Sequence, residues 1–195
     1  MRKMAWKMIF AFILLILSIG CAATPELVQV KMDYTPTNLV TPPIERPGSS
    51  IFIAPIIDKR KNPDQIGENV EKSKAVPAKA PPQEVLSSIE KAFKKEFSRA
   101  GLNVVDDKGK AQRIVQVSLM NLWVQEKNTF DAVVVNHVEV KDKMGKVLYS
   151  QGFKGTATRW GRSYSADEYR KVISDAVVEL LKNMFKNDAF MKSLG

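Results

Sequence analysis

Two kinds of hydrophobic spacing divide the chain. From Pro82 to Ala100, Leu86, Ile89, Phe93, Phe97 and Ala100 recur at intervals of three and four, which predicts an amphipathic helix. Pro82 suits its first turn and Gly101 the position just past its end. A second helical stripe, Tyr169, Val172, Ile173, Ala176, Leu180, Leu181 and Met184, follows Ser165-Ala166-Asp167-Glu168, whose Ser-x-x-Glu pattern is that of a capping box. Between the helices the spacing changes to two. Val115, Val117 and Leu119 alternate with polar residues in 113–125. Phe130, Ala132, Val134, Val138 and Val140 share one face of 130–141, with Asp131, His137, Glu139 and Lys141 on the other. Val147, Tyr149, Phe153 and Ala157 line one side of 146–158. Such alternation predicts an antiparallel sheet with one covered and one wet face. Asp142-Lys143-Met144-Gly145 reads as a hairpin turn with Gly145 at positive φ.

Shorter segments fill in the rest. Ser50 to Ile57 reads as a buried first strand, with Pro55 at an edge, a bulge or the strand's end. Leu102 to Val105 reads as a short second strand. Residues 58–80 read as a long polar loop, and a loop of that length is commonly functional or mobile. The expected fold is therefore α+β: a two-layer sandwich with a mostly antiparallel sheet of about four to five strands and two helices packed on one face.

The N-terminus follows neither pattern. Arg2, Lys3 and Lys7 precede a short apolar run, Met8 to Leu17, which ends in Ser18-Ile19-Gly20-Cys21. A basic start, a short apolar core and a small residue before the cut make a secretory signal. The run is too short for a comfortable bilayer span of about 20 residues. The Ile-Gly-Cys ending resembles the lipobox of bacterial lipoproteins, with Ser18 where Leu is usual. That resemblance implies cleavage before Cys21 and acylation of its thiol and new amine. Residues 21–48, with Pro25, Pro36, Pro42, Pro43 and Pro47, read as a stiff tether. Tyr34 and Leu39-Val40 are apolar enough for part of it to lie on the domain. The expected organisation is a signal peptide over 1–20, a lipidated tether over 21–48 and one α+β periplasmic domain over 49–195.

Composition narrows the function classes. A hydrophobic fraction of 45% suits a globular domain. Loss of the three basic signal residues lowers the formal charge from +9 to about +6. The rest of the positive charge is interleaved with acids, as in Glu90-Lys91 and Lys94-Lys95-Glu96, which reads as a solvated helix face and not as a nucleic-acid footprint. Cys21 is the single cysteine, so no disulfide is expected.

No catalytic pattern stands out. His137 is the one histidine, and it falls on the wet face of a strand. One histidine without a free cysteine is a poor start for zinc, and Asp58, Asp64 and Glu68 lack the spacing of a calcium loop. No phosphate-binding glycine loop follows a strand. The expectation is no enzyme, no cofactor and no metal. Partner-binding candidates are Asp58 and Arg60, and the cluster Trp160, Arg162 and Tyr164, since aromatic and Arg clusters are favoured at binding hot spots. Trp160 has a second reading, as a plug at the end of the sheet–helix core. Trp123 is read onto the open sheet face, as a partner-binding or self-association surface.

Several short motifs then carry a family likeness. A lipoprotein signal, Tyr34-x-Pro36, Asp58-x-Arg60, Ile66-Gly67, the Gly101 turn, Asp142-x-x-Gly145, Phe153-x-Gly155 and a C-terminal helix with Phe190 behind it resemble the YajG-type lipoproteins over roughly residues 33–194. The outline is also similar, as a looser analogy of fold, to auxiliary lipoproteins of lipid and lipopolysaccharide transport. The YajG likeness implies an outer-membrane address and an α+β domain but no reaction; Ala22 after the cysteine, in place of Asp, accords with that address. The leading expectation is a non-catalytic lipoprotein that binds another envelope protein. The alternative is a module for an anionic lipid or glycan, using Lys59-Arg60-Lys61 and the Trp160 cluster.

Overall fold

In the computed structural model residues 25–35 and 49–195 are described; the signal segment, Cys21, Leu39-Val40 and the prolines from Pro36 to Pro47 lie outside the described residues. The strands are β1 (Val28–Gln29), β2 (Ile51–Ile53), β3 (Ile57–Asp58), β4 (Gln65–Asn69), β5 (Val76–Lys79), β6 (Arg113–Glu126), β7 (Phe130–Asp142) and β8 (Val147–Arg159). The helices are α1 (Pro82–Arg99), α2 (Ala166–Phe185) and α3 (Asp188–Leu194), with a 3-10 turn at Lys108–Lys110.

These elements form one eight-stranded mixed sheet with three α-helices among the described residues, which corrects the expected four to five strands and two helices. Its long antiparallel part is as expected: β6, β7 and β8 pair along almost their full lengths. The added strands come from segments too short or too polar to show a clear period. One edge of β6 carries β2, β3 and β4 in succession, all parallel to it, opposite Arg113–Val115, Ser118–Leu119 and Val124–Glu126. Ser50–Ile57 is thus one strand in sequence but two in space. It breaks around Pro55, which has no N–H to give to the ladder. Because β2 and β6 run parallel, the chain must cross between them, and α1 lies on that crossover.

Residues 58–80 are not a polar loop. Val76, Ala78 and Ala80 alternate with Pro77 and Lys79 and are buried, so β5 pairs antiparallel with β4. The predicted strand at 102–105 reduces to a single bridge between Val104 and Ile51.

Residues 28–35, within the segment read as a tether, lie on the domain. Val28, Val30, Met32 and Tyr34 are all buried. β1 pairs parallel to β5, and the chain then crosses the helix layer. Met32 N–H donates to Glu84 of α1 (3.1 Å), Lys91 meets Asp33 (2.7 Å), and Thr35 N–H donates to Ser174 of α2 (3.1 Å).

The helices cover one face of the sheet. Phe190 of α3 closes the core against Phe97, Tyr149 and Phe153, with ring centroids 6.3, 5.6 and 5.9 Å away. Helix termini and turns follow the sequence: the Ser165 side chain accepts from Glu168 N–H, and Gly145, at φ +88°, closes the β7–β8 turn onto Asp142 (3.0 Å). A one-residue shift at Met120 reverses the alternation along β6. Unbroken alternation from Leu119 would turn Trp123 inward; with the bulge it faces out, opposite Val133.

Candidate functional site

The ends of β6 and β8 and the start of β7 form one end of the sheet, and the Trp160–Tyr164 loop lies beyond it. Four anchors hold this loop. Arg159, the last residue of β8, points to the helix side and pairs with Glu168 (3.1 Å) and Asp175 (2.9 Å) of α2. Burial disfavours its charge, but the two carboxylates outweigh burial and raise its pKa. Ser163 Oγ donates to Glu71 in the β4–β5 turn (2.8 Å). Tyr164, at φ +59°, donates its N–H to Glu126 (2.7 Å), and Ser165 caps α2. Glu126 is 1% exposed and also faces the Tyr169 hydroxyl, whose pKa is raised first by burial and then by that carboxylate. On this frame Trp160 is 77% exposed. It does not plug the core, and Arg162 beside it is exposed too.

A second candidate surface is the outer face of β6–β8. Across it run Trp123 opposite Val133 and Asn121 opposite Val135, with Met120 at the bulge 47% exposed. Trp123, Val133 and Val135 are half-buried by their neighbours, and no described element covers them. Charges of both signs rim this strip: Asp131 accepts from Thr129 and Thr158, and Glu139 pairs with Lys141 (2.8 Å). The Lys141 ammonium's hydrogen bond lowers the Glu139 pKa against a smaller opposing burial effect.

His137 and Ser150 also lie here, with Nε2 and Oγ 2.9 Å apart. A nucleophilic serine needs a base held by a third group and a pocket of donors for the developing charge. Glu139, the nearest carboxylate on that strand, is engaged by Lys141. The pair stands on an exposed sheet surface, and its contacts are those of a cross-strand hydrogen bond.

Asp58 and Arg60 are brought together, but with each other. Arg60 donates from Nε (3.0 Å) and an Nη nitrogen (2.7 Å) to the Asp58 carboxylate, and from that Nη to Pro63 carbonyl (2.6 Å). The Arg60 side chain is 4% exposed. This clamp fixes the bend from β3 to β4. Burial raises the Asp58 pKa, yet the Arg60 hydrogen bonds lower it further, and the net shift is downward. The clamp sits at the level of Leu119, and in the sheet's registers that level corresponds to Phe153, six residues along β8 from Arg159. Six residues of strand span about 20 Å, so the two predicted clusters do not form one site.

A groove of about 670 Å³ runs beside α1, lined in part by Pro55, Ile56, Leu86, Lys91, Lys94 and Lys95. Its lysines are engaged: Lys91 with Asp33, Lys94 with Glu90, and Lys95 over the Tyr34 ring at 5.7 Å. Glu96, read from the sequence onto a solvated helix face, is instead wholly buried, and the buried carboxylate Glu126 was not singled out at all. Glu96 pairs with Arg99 (3.2 Å) and faces the Tyr34 hydroxyl. Among the described residues no helix is long and apolar enough to cross a membrane.

No protein-family model matches the chain, and no curated protein matches it. Solved structures do. Protein XCC0632 from Xanthomonas campestris, described as DUF330, is 11% identical at a TM-score of 0.50, over 80% of this chain and 91% of that one. PelC from Paraburkholderia phytofirmans, described as a dodecamer, is 17% identical at a TM-score of 0.42, over 74% and 93%. Lipoprotein GNA1162 from Neisseria meningitidis is 12% identical at a TM-score of 0.30, over 69% and 99%. None of these three is named for the YajG-type group. The first likeness bears on fold alone, and the other two are too distant to carry an argument.

Proposed function

We propose that this chain is a non-catalytic, lipid-anchored envelope protein, attached at Cys21 to the outer membrane and facing the periplasm. Its domain binds another envelope protein through the outer face of β6–β8. The Arg2 to Cys21 pattern supports the anchor. The observation that carries the binding reading is the strip Met120, Trp123, Val133 and Val135, which no described element covers and which is set among charges of both signs. A mixed rim around an apolar centre suits a protein surface of matching pattern better than a polyanion, which calls for one sign of charge.

The anchor is tested by mass spectrometry of the full-length product from a diderm bacterium, with membrane fractionation of the native chain and Cys21→Ser. The expected native product begins at Cys21, carries acyl mass and sediments with outer membranes. Cys21→Ser should lack that mass and leave the membrane fraction. An unmodified Cys21, or a serine variant that still sediments, would overturn the anchor.

A further inference from the structure

The anchor and the Trp160 loop belong to the same end of the sheet. β1 runs parallel to β5 and antiparallel to β4, so the chain enters β1 from the end where β6 and β8 finish. Val28 pairs with Ala78, Ala78 with Gly67, and Gly67 with Val124, two residues from the end of β6. Cys21 precedes Val28 by seven residues, and seven residues span at most about 25 Å. Docking of residues 28–35 on the domain therefore removes most of the reach that the 21–48 segment would have as a free tether.

The segments beyond the strands at this end are 25–27, 70–75, 127–129 and 160–165. They expose Trp160 (77%) and Leu27 (41%). Their charged residues are Lys72, Lys74, Lys127 and Arg162 against Glu26 and Glu71, four positive against two negative, an excess of two. A half-polar indole and aliphatic side chains amid excess cationic charge match the interface of a bilayer with anionic headgroups. We infer that this end of the sheet rests on the membrane that holds Cys21, with Trp160 at headgroup depth and Lys72, Lys74, Lys127 and Arg162 over anionic lipid.

The opposite end also exposes apolar groups, Met144 (82%), Val147 and Leu148, beside Lys143 and Lys146. It cannot take the same place. The β7–β8 turn lies at the level of Arg113, eleven residues of β6 from Val124, about 35 Å away. An inverted, upright domain would need more chain than Cys21 to Val28 supplies. With the Trp160 end down, the outer face of β6–β8 stands upright and clear of the membrane, open to a protein partner.

This inference rests on the lipid-anchor reading, and the test separates the two. Full-length protein is reconstituted in phosphatidylethanolamine vesicles with one quarter phosphatidylglycerol, with and without lipids carrying a shallow nitroxide. Trp123→Phe leaves Trp160 as the single tryptophan after Cys21; Trp160→Phe leaves Trp123. The mass of each sample reports acylation. In acylated protein, Trp160 emission is expected to be blue-shifted and to lose at least half its intensity to the nitroxide, while Trp123 loses little. Replacing Lys72 and Lys74 together with Glu should reduce that quenching at least twofold. A third probe, Met144→Trp in a Trp123→Phe/Trp160→Phe chain, should stay unquenched. Acylated protein with unquenched Trp160, or with quenching stronger at position 144 or 123, overturns the orientation and leaves the anchor standing. Protein whose mass shows no acyl group overturns both.

Discussion

Replacing Asp58 with Ala is expected to destabilise the domain by about 3 kcal/mol, because it strands a guanidinium that has nowhere to go. The Arg60 side chain is 4% exposed and its second Nη nitrogen has no partner among the described residues, so Asp58 is its counter-charge. In a domain of this size such a loss lowers Tm by roughly 6–12 °C. Arg60→Ala should cost less, since Asp58 is 16% exposed and water can reach its carboxylate. The double variant should cost far less than the sum, because neither charge is then abandoned. The pH dependence has a definite sign. The Asp58 pKa is lower in the folded state than the ordinary 3.8, so the unfolded chain takes up the proton more readily. The pair's contribution is complete above the unfolded value and is lost as pH falls through the folded one. Thermal melts of Asp58→Ala and the native chain should therefore converge as pH falls through the folded value, which lies below 3.8. A docking role for the pair predicts unchanged melts at neutral pH.

Gly155→Ala is expected to cost at least about 3 kcal/mol and to unfold part of the population at 37 °C. A Cβ at this position would lie 2.0 Å from the Ala176 carbonyl oxygen, 2.5 Å from Leu180 N and 2.7 Å from Leu180 Cβ. Two of these are backbone atoms of α2, so relief requires moving the helix off β8. Gly152 on the outer side of the same strand is the control: its Cβ would find only the Asn136 carbonyl oxygen at 3.9 Å. Gly152→Ala should stay within about 0.5 kcal/mol of the native chain in urea unfolding. Equal melts for the two variants would contradict the packing of α2 on β8.

These two sites show what the short motifs quoted for the YajG-type resemblance do in this chain. Asp58-x-Arg60 is a clamp at a bend, Phe153-x-Gly155 is a helix seat, and a Cβ on Gly67 would strike the Val124 carbonyl oxygen at 2.2 Å. Short motifs of this kind mark where backbones meet, so they carry a fold and say little about a ligand.

Other features were legible to different degrees. α1, α2 and the three long strands follow from period and caps, because each repeats its pattern over a dozen residues or more, and the hairpin turn follows from its Asp and Gly. β4 and β5 did not show, since Gln65–Asn69 holds one large apolar side chain and β5 hides its alternation among Pro77 and Lys79. β1 was concealed by proline-rich neighbours, although Val28, Val30, Met32 and Tyr34 alternate without a break. Asn136 is a further exception. It lies on the inner face between Leu119 and Phe153, wholly buried, and neither amide atom finds a partner among the described residues. The exposure of Trp160 could not be read from sequence, because it depends on contacts from Glu71, Glu126 and Glu168, each distant in the chain or across the cap.

The most direct test of the central claim is photo-cross-linking in intact cells, with a photoreactive amino acid at position 123 and, as a control, at Lys91 on α1. One defined envelope protein should be joined from position 123 and be absent from position 91. That adduct should be lost when Cys21→Ser takes the domain away from the membrane. No adduct from position 123, or the same products from both positions, would contradict the claim.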